Sequence, residues 1–275
     1  MKIMLPALVV LAISAPAMAD GQFSLATGFD YSTGKYGNAT STNILYIPVT
    51  AQYETDDLTL KLTVPYISVT GPGGVIRGFG RIVSPTGTSG GAPAFGRPGR
   101  GGMTTTVVTT TTATTSNSGL GDVVASAGYT VYSANALTLD VVGKIKFGTA
   151  DATKGLGTGE NDYSMQVDGY YTFAQKTTLF ATAGYKIVGA PAGVTVNNVP
   201  YGMLGASQKV GDATSVGVIL SVVKSPTSVT SNQQDVMVYG VKRLSKQLKI
   251  QVSLLKGFAN GSPDYGGGAI ITGYF

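Results

Sequence analysis

The chain has 275 residues, a formal charge of +5, 12% charged residues and 39 glycines, with no cysteine, histidine or tryptophan. The missing cysteine excludes a disulfide framework and any thiol for catalysis or metal binding; the missing histidine excludes Ser-His-Asp hydrolysis, the usual zinc sites and imidazole ligation of haem. So mild a positive charge over this length does not describe a nucleic-acid binder, and no cofactor is implied.

Residues 1–19 carry one lysine, Lys2, an apolar run from Ile3 to Ile13 and the small-residue end Ala17-Met18-Ala19. That is the pattern of a secretory signal peptide, with cleavage expected before Asp20. The run is far short of the ~20 residues a spanning helix needs. No later segment holds a long uninterrupted apolar run, so a helical membrane protein is excluded and residues 20–275 form the mature domain.

Twelve strands are expected in chain order: 22–32, 43–55, 58–70, 122–133, 137–148, 162–173, 177–188, 199–210, 214–223, 235–244, 248–257 and 265–275. Their connections alternate between short (56–57, 134–136, 174–176, 211–213, 245–247) and long (33–42, 71–121, 149–161, 189–198, 224–234, 258–264) without a break. Outer-membrane barrels have this rhythm because periplasmic turns are tight and extracellular loops extended, and an even strand count leaves both termini in the periplasm. The fold class predicted is all-β, a transmembrane antiparallel up-and-down barrel.

The hairpin from Asn43 to Ser68 shows the pattern most clearly. With Asp56-Asp57 as the turn, Tyr53 faces Leu60, Ala51 faces Leu62, Val49 faces Val64 and Ile47 faces Tyr66, an apolar row. The alternate row sets Glu54 against Thr59, Gln52 against Lys61 and Thr50 against Thr63. Alternation is equally clear over 137–147 and 248–254, and weak in the strands that begin at Val199, Thr214 and Asp235. On the outward phase Phe23, Tyr53, Tyr171, Phe173 and Phe275 fall at periplasmic strand ends, and Phe29, Tyr66, Phe147, Tyr163 and Tyr185 at the other ends. Two such girdles suit the two membrane interfaces.

The inward phase supplies the candidate lumen: Asp30, Gln52, Glu54, Lys61, Asp140, Lys144, Lys146, Gln166, Asp168, Tyr170, Lys186, Asp235, Arg243 and Lys249. These describe either a hydrated path with charged walls or carboxylates and cations that pair across strands to make a polar interior tolerable. Glu54 and Lys61, diagonal neighbours, are the expected pair. A twelve-stranded barrel lies between eight-stranded barrels filled by side chains and sixteen-stranded open porins, so it can hold a narrow pore.

The loop 71–121 is rich in Gly, Pro and Thr and carries Arg77, Arg81, Arg97 and Arg100; from Leu58 to Gly121 there is no Asp or Glu. Folded inward, the arginines constrict the pore and favour anions; folded outward, they meet lipopolysaccharide phosphates; a third arrangement has the Thr-rich part extending its strand above the membrane. The terminal Ile270-Ile271-Thr272-Gly273-Tyr274-Phe275 resembles in part the last-strand signal read by the barrel-assembly machinery, with Gly273 where an aromatic or apolar residue is usual.

The segment Phe23 to Gly37, followed by Leu45-Tyr46-Ile47-Pro48-Val49 and Thr63-Val64-Pro65-Tyr66-Ile67, resembles a family of outer-membrane transporters related to the barrels assigned to the phenol-degradation MetA pathway. The resemblance covers the first three strands best. It implies a barrel that admits small hydrophobic or aromatic molecules. Some twelve-stranded barrels are lipid hydrolases, but they resemble Ser-His designs, and an enzyme is not expected from a chain without histidine. The expected function is passive passage of small solutes, and the alternative is a non-conducting, adhesin-like surface barrel.

Overall fold

The structure is a computed structural model that describes residues 21–36, 39–71, 75–77, 102–104, 114–174, 176–191, 195–227 and 231–275. The signal segment 1–19 and Arg81, Arg97 and Arg100 lie outside these residues, and Arg77 is described by its backbone.

Fifteen strands follow in order: β1 (Gln22–Gly34), β2 (Thr42–Glu54), β3 (Leu58–Gly71), β4 (Val75–Arg77), β5 (Gly102–Thr104), β6 (Thr115–Leu120), β7 (Val124–Ala134), β8 (Leu137–Lys146), β9 (Asp162–Phe173), β10 (Thr177–Ile187), β11 (Val199–Lys209), β12 (Thr214–Val223), β13 (Gln233–Arg243), β14 (Leu248–Gly257) and β15 (Tyr265–Tyr274). Each barrel strand pairs antiparallel with its sequence neighbours, β6 and β7 serve as two halves of one strand, and β1 pairs with β15 from Ser24↔Tyr274 to Thr33↔Tyr265. The result is a closed barrel of twelve strands. In the β2–β3 hairpin the observed partners are Tyr53↔Leu60, Ala51↔Leu62, Val49↔Val64 and Ile47↔Tyr66, the register that its two alternating faces predict.

Burial alternates along the strands. Leu62, Val167, Leu204, Leu220, Val252 and Leu254 are exposed on the outer wall, whereas their sequence neighbours on the inner row are mostly buried. An outer wall this apolar is compatible with lipid and not with water. Most of the outward rings are exposed, at both strand ends, and Phe23 and Tyr53 are half-buried; Tyr171 and Phe173 pack edge to face at 4.6 Å and Phe275 lies 6.1 Å from Phe23.

Two prolines interrupt the ladders. Pro48 and Pro65 are register partners on the inner face of β2 and β3, both fully buried. Proline has no N–H to donate, so the pairing of β1 with β2 skips Gly28 and Phe29, and the pairing of β3 passes from β6 to β7 across a bulge at residues 121–123. One bond, from Gly121 N–H to the Pro65 carbonyl at 2.8 Å, crosses that bulge.

The fourth barrel strand differs from the expectation of a start at Asp122. It begins at Thr115, because residues 115–120 pair with Tyr66–Gly71 and the hydroxyls of Thr70 and Ser116 lie 2.9 Å apart. The extension seen is residues 115–120; residues 105–113 of the Thr-rich run lie outside the described residues. At its other end β4 pairs with β5, and Val75 packs with Tyr36, Ile44, Tyr46, Ile67, Ala150 and Leu156 into an apolar cluster. Ala150 and Leu156 come from the connection after β8, which holds a single 3-10 turn, Ala152–Lys154, capped by Asp151.

Candidate functional site: the barrel lumen

Three polar groups follow one another along the inner wall. At the long-loop end Lys146, at the tip of β8, donates to Asp122 at 3.1 Å and to Thr158 Oγ1 at 3.2 Å and pairs with Asp162 at 3.3 Å. Backbone N–H groups of Ala150 and Gly189 donate to Asp122 and Asp162, which ties the loops after β8 and β10 to the rim. Lys186 adds a second cation in the field of Asp162. All these charged residues are less than a tenth exposed, so each charge depends on its partner.

Midway down, the Lys144 ammonium donates to Gln166 Oε1, which also accepts from Tyr201 Oη at 3.0 Å. Gln166 Nε2 donates to both oxygens of Asp168, at 2.8 and 2.7 Å, and Thr182 donates to Asp168 Oδ1 at 2.6 Å. Asp140, opposite Asp168 in the register, accepts from Thr130 at 2.7 Å.

At the short-turn end Gln52 Nε2 donates to Glu54 at 2.6 Å, while Lys61 and then Lys249 attract the Glu54 charge. The expected Glu54–Lys61 neighbourhood is thus present, with Gln52 as a further partner. Lys249 and Arg243 flank the Tyr274 ring at 5.1 and 5.9 Å. A cavity of about 70 Å³ opens here among Glu54, Lys61, Ser126, Lys249 and Tyr274, room for a handful of waters. A larger concavity, about 820 Å³, lies on the outer wall where Ala51, Ala125, Ala127 and Gly143 sit among bulkier outward side chains. Its mostly apolar lining suits lipid chains.

Of the remaining lumen candidates, Asp30 and Asp235 are buried on the inward rows of β1 and β13, and Tyr170 is buried beside Asp168 on β9. Arg243 stands exposed at the rim.

Sequence reasoning missed an apolar patch of the lumen on β10 to β14, set among the inward polar residues Lys186, Asp235, Lys249 and Gln251. Phe180, Met203, Ile219, Met237, Tyr239, Val241 and Leu255 turn inward from β10 to β14 and pack with Tyr170. Three inward rings there lie over glycines that are their register partners: Phe180 over Gly205, Tyr201 over Gly184 and Tyr239 over Gly217. A Cβ at any of these glycines would come within 2.4 Å of the ring. The glycines make room for rings to lie flat across the wall. The available signal was the weak alternation of β11 to β13 itself: strands apolar on both faces have an apolar inner row. Asp122 and Asp162 were missed because they stand at strand ends, where phase counting stops.

No family model matches the sequence, and no curated protein sequence does. Solved structures do match in fold. The COG4313 outer membrane channel from Pseudomonas putida F1 aligns over 94% of this chain and 97% of its own, with a TM-score of 0.63 at 13% identity. The NanC porin aligns over 91% of this chain and 99% of its own, with a TM-score of 0.52 at 8% identity. For the KdgM porin the shares are 92% and 99%, with a TM-score of 0.51 at 9% identity. At these identities the likeness is one of fold.

Proposed function

We propose that this protein is a passive channel of the bacterial outer membrane for small organic solutes with an aromatic or apolar body and a polar end. One observation carries the reading: a stripe of charged and amide side chains runs from the Asp122–Lys146–Asp162 rim through Lys144, Gln166 and Asp168 to Glu54, Lys61 and Lys249, in a lumen that also holds the apolar patch on β10 to β14. A barrel with a purely structural interior gains nothing from burying so many charges, since apolar side chains of similar volume fill the space at lower desolvation cost. Phe180, Met203, Ile219 and Met237 pack together with at most 5% exposure, so a solute exchanges hydrogen bonds with the stripe while its apolar body passes as these side chains part. The resemblance of the first three strands to phenol-pathway transporters and the channel and porin roles named for the similar folds support the same class of function.

Export through residues 1–19, recognition of the last strand by the assembly machinery through Phe275, and contact of Arg77, Arg81, Arg97 and Arg100 with lipopolysaccharide phosphates complete this reading. The test is stopped-flow swelling of proteoliposomes in arabinose and in 4-hydroxybenzenesulfonate, a membrane-impermeant aromatic with a polar end. Wild type should admit both faster than protein-free vesicles, and Ser126→Trp, which fills the cavity at the short-turn end, should slow entry severalfold. Rates equal to protein-free vesicles would sink the proposal.

A further inference from the structure

Asp140 on β8 and Asp168 on β9 are direct register partners, both turn inward, and they are 4% and 1% exposed. Like charges on directly opposed positions destabilise a sheet, and burial removes the water that would screen them. Their hydrogen bonds come from neutral donors, Thr130 to Asp140 and Gln166 and Thr182 to Asp168. Among the described residues neither carboxylate forms an ion pair: the Lys144 ammonium is turned to Gln166, and its charge reaches Asp168 through space.

A second feature points to the same place. Tyr170, the next inward residue after Asp168 along β9, is 4% exposed and its hydroxyl has no hydrogen-bond partner. That hydroxyl lies in the field of Asp168, Asp140 and Glu54, in that order of strength. A buried phenol oxygen without a hydrogen-bond partner, in the field of two carboxylates that form no ion pair and feel Lys144 and Lys61 only through space, is an incomplete set of oxygen donors.

The geometry points to a cation site formed by Asp140, Asp168 and Tyr170, and to calcium as its ion. All the donors are oxygens, which selects a hard cation; two facing carboxylates call for two positive charges; and two strands and a ring do not offer the strict octahedron magnesium requires. Thr130, Thr182 and Gln166 hold the carboxylates in orientation. The site lies in the proposed conduit but stands or falls independently of whether solutes pass.

The test uses the full mature chain refolded into detergent, free of lipopolysaccharide and stripped by chelator, with calcium chloride as the probe in equilibrium dialysis. Wild type should bind one calcium per chain with a dissociation constant of about 10⁻⁴–10⁻³ M. D140N and D168N should each weaken binding at least tenfold; Y170F, which keeps the ring and its packing, should weaken it severalfold; D56N, in the exposed turn after β2, should leave it unchanged. Thermal unfolding adds a second readout: without calcium D140N should unfold at a higher temperature than wild type, and saturating calcium should reverse that order. Equal binding by wild type and both Asp variants, or magnesium binding as tight as calcium, would overturn the assignment. No uptake by wild type together with an unchanged D140N midpoint would mean that the two carboxylates share a proton, and would overturn it as well.

Discussion

Replacing Lys146 by methionine keeps the stem of the side chain and removes the ammonium that holds the long-loop rim together. In wild type that ammonium donates to Asp122 at 3.1 Å and forms an ion pair with Asp162 at 3.3 Å, with all three residues at most 6% exposed. The variant leaves the two carboxylates with one backbone donor each, Ala150 N–H and Gly189 N–H, and with Lys186 as the remaining cation in the field of Asp162. Breaking a buried pair from one side costs about 3–5 kcal/mol. We expect a loss of about 3–5 kcal/mol for K146M, and recovery of part of it in K146M/D162N, where one of the stranded charges is gone. The assay is guanidinium unfolding of the barrel in lipid vesicles, followed by far-UV circular dichroism because the chain has no tryptophan. A shift below about 1 kcal/mol, the scale of an exposed pair, would refute the view that this cluster is a desolvated clasp.

Other substitutions test the facing of the strands and the inner packing. Ile219 is fully buried on the inner row and Leu220 is 48% exposed on the outer wall. Ile219→Ala should therefore cost about 2–5 kcal/mol, and Leu220→Ala little, while Leu220→Arg should cost roughly 2–4 kcal/mol in a bilayer; equal costs for the two alanine variants would mean the register is wrong. Gly205→Ala sets a Cβ 2.3 Å from the Phe180 ring and 2.8 Å from the Val218 carbonyl, so a loss of about 1–3 kcal/mol is expected in the same unfolding assay. Phe180→Leu in that background should recover part of it. The hydroxyl of Thr153, with the backbone N–H groups of Thr153 and Lys154, holds the Asp151 carboxyl below its ordinary value of 3.8. The cap's contribution is then present above the ordinary value and is lost as pH falls through the lowered one. Amide protection at Thr153 and Lys154, taken relative to the intrinsic exchange rate at each pH, should hold at pH 4 and fall only below the ordinary range; a loss of protection above pH 4 would contradict the capping geometry.

How much of this was legible in the sequence depends on the two faces of each strand. The β2–β3 register was readable to the residue because Tyr53, Ala51, Val49 and Ile47 alternate with Glu54, Gln52 and Thr50, and lipid and lumen demand opposite chemistry. In β12 the run Val216, Val218, Ile219, Leu220 has no such contrast, since Ile219 faces an apolar lumen wall and its neighbours face lipid. Residues 115–120 escaped for the opposite reason: a strand that rises beyond the lipid is polar on both faces, and periodicity is silent there. The side-chain pairings were less legible than the strands. Lys146 was placed on the inner row, but its partners stand at strand ends: Asp162 is its register partner at the first position of β9, and Asp122 lies in the bulge opposite Pro65. The Gly–ring seats depend on cross-strand register over β10 to β13, which no single strand encodes.

The most direct test of the central claim is single-channel conductance of the mature protein in a planar bilayer, with a variant whose residues 78–101 are replaced by a short Gly-Ser linker that keeps β4 and β5 joined. The account predicts discrete, steady conductance steps in wild type that persist in the variant; larger steps after replacement would place the arginine segment in the path. Silence in both forms, from protein shown to be folded by its heat-dependent gel mobility, would contradict the channel and leave a non-conducting surface barrel.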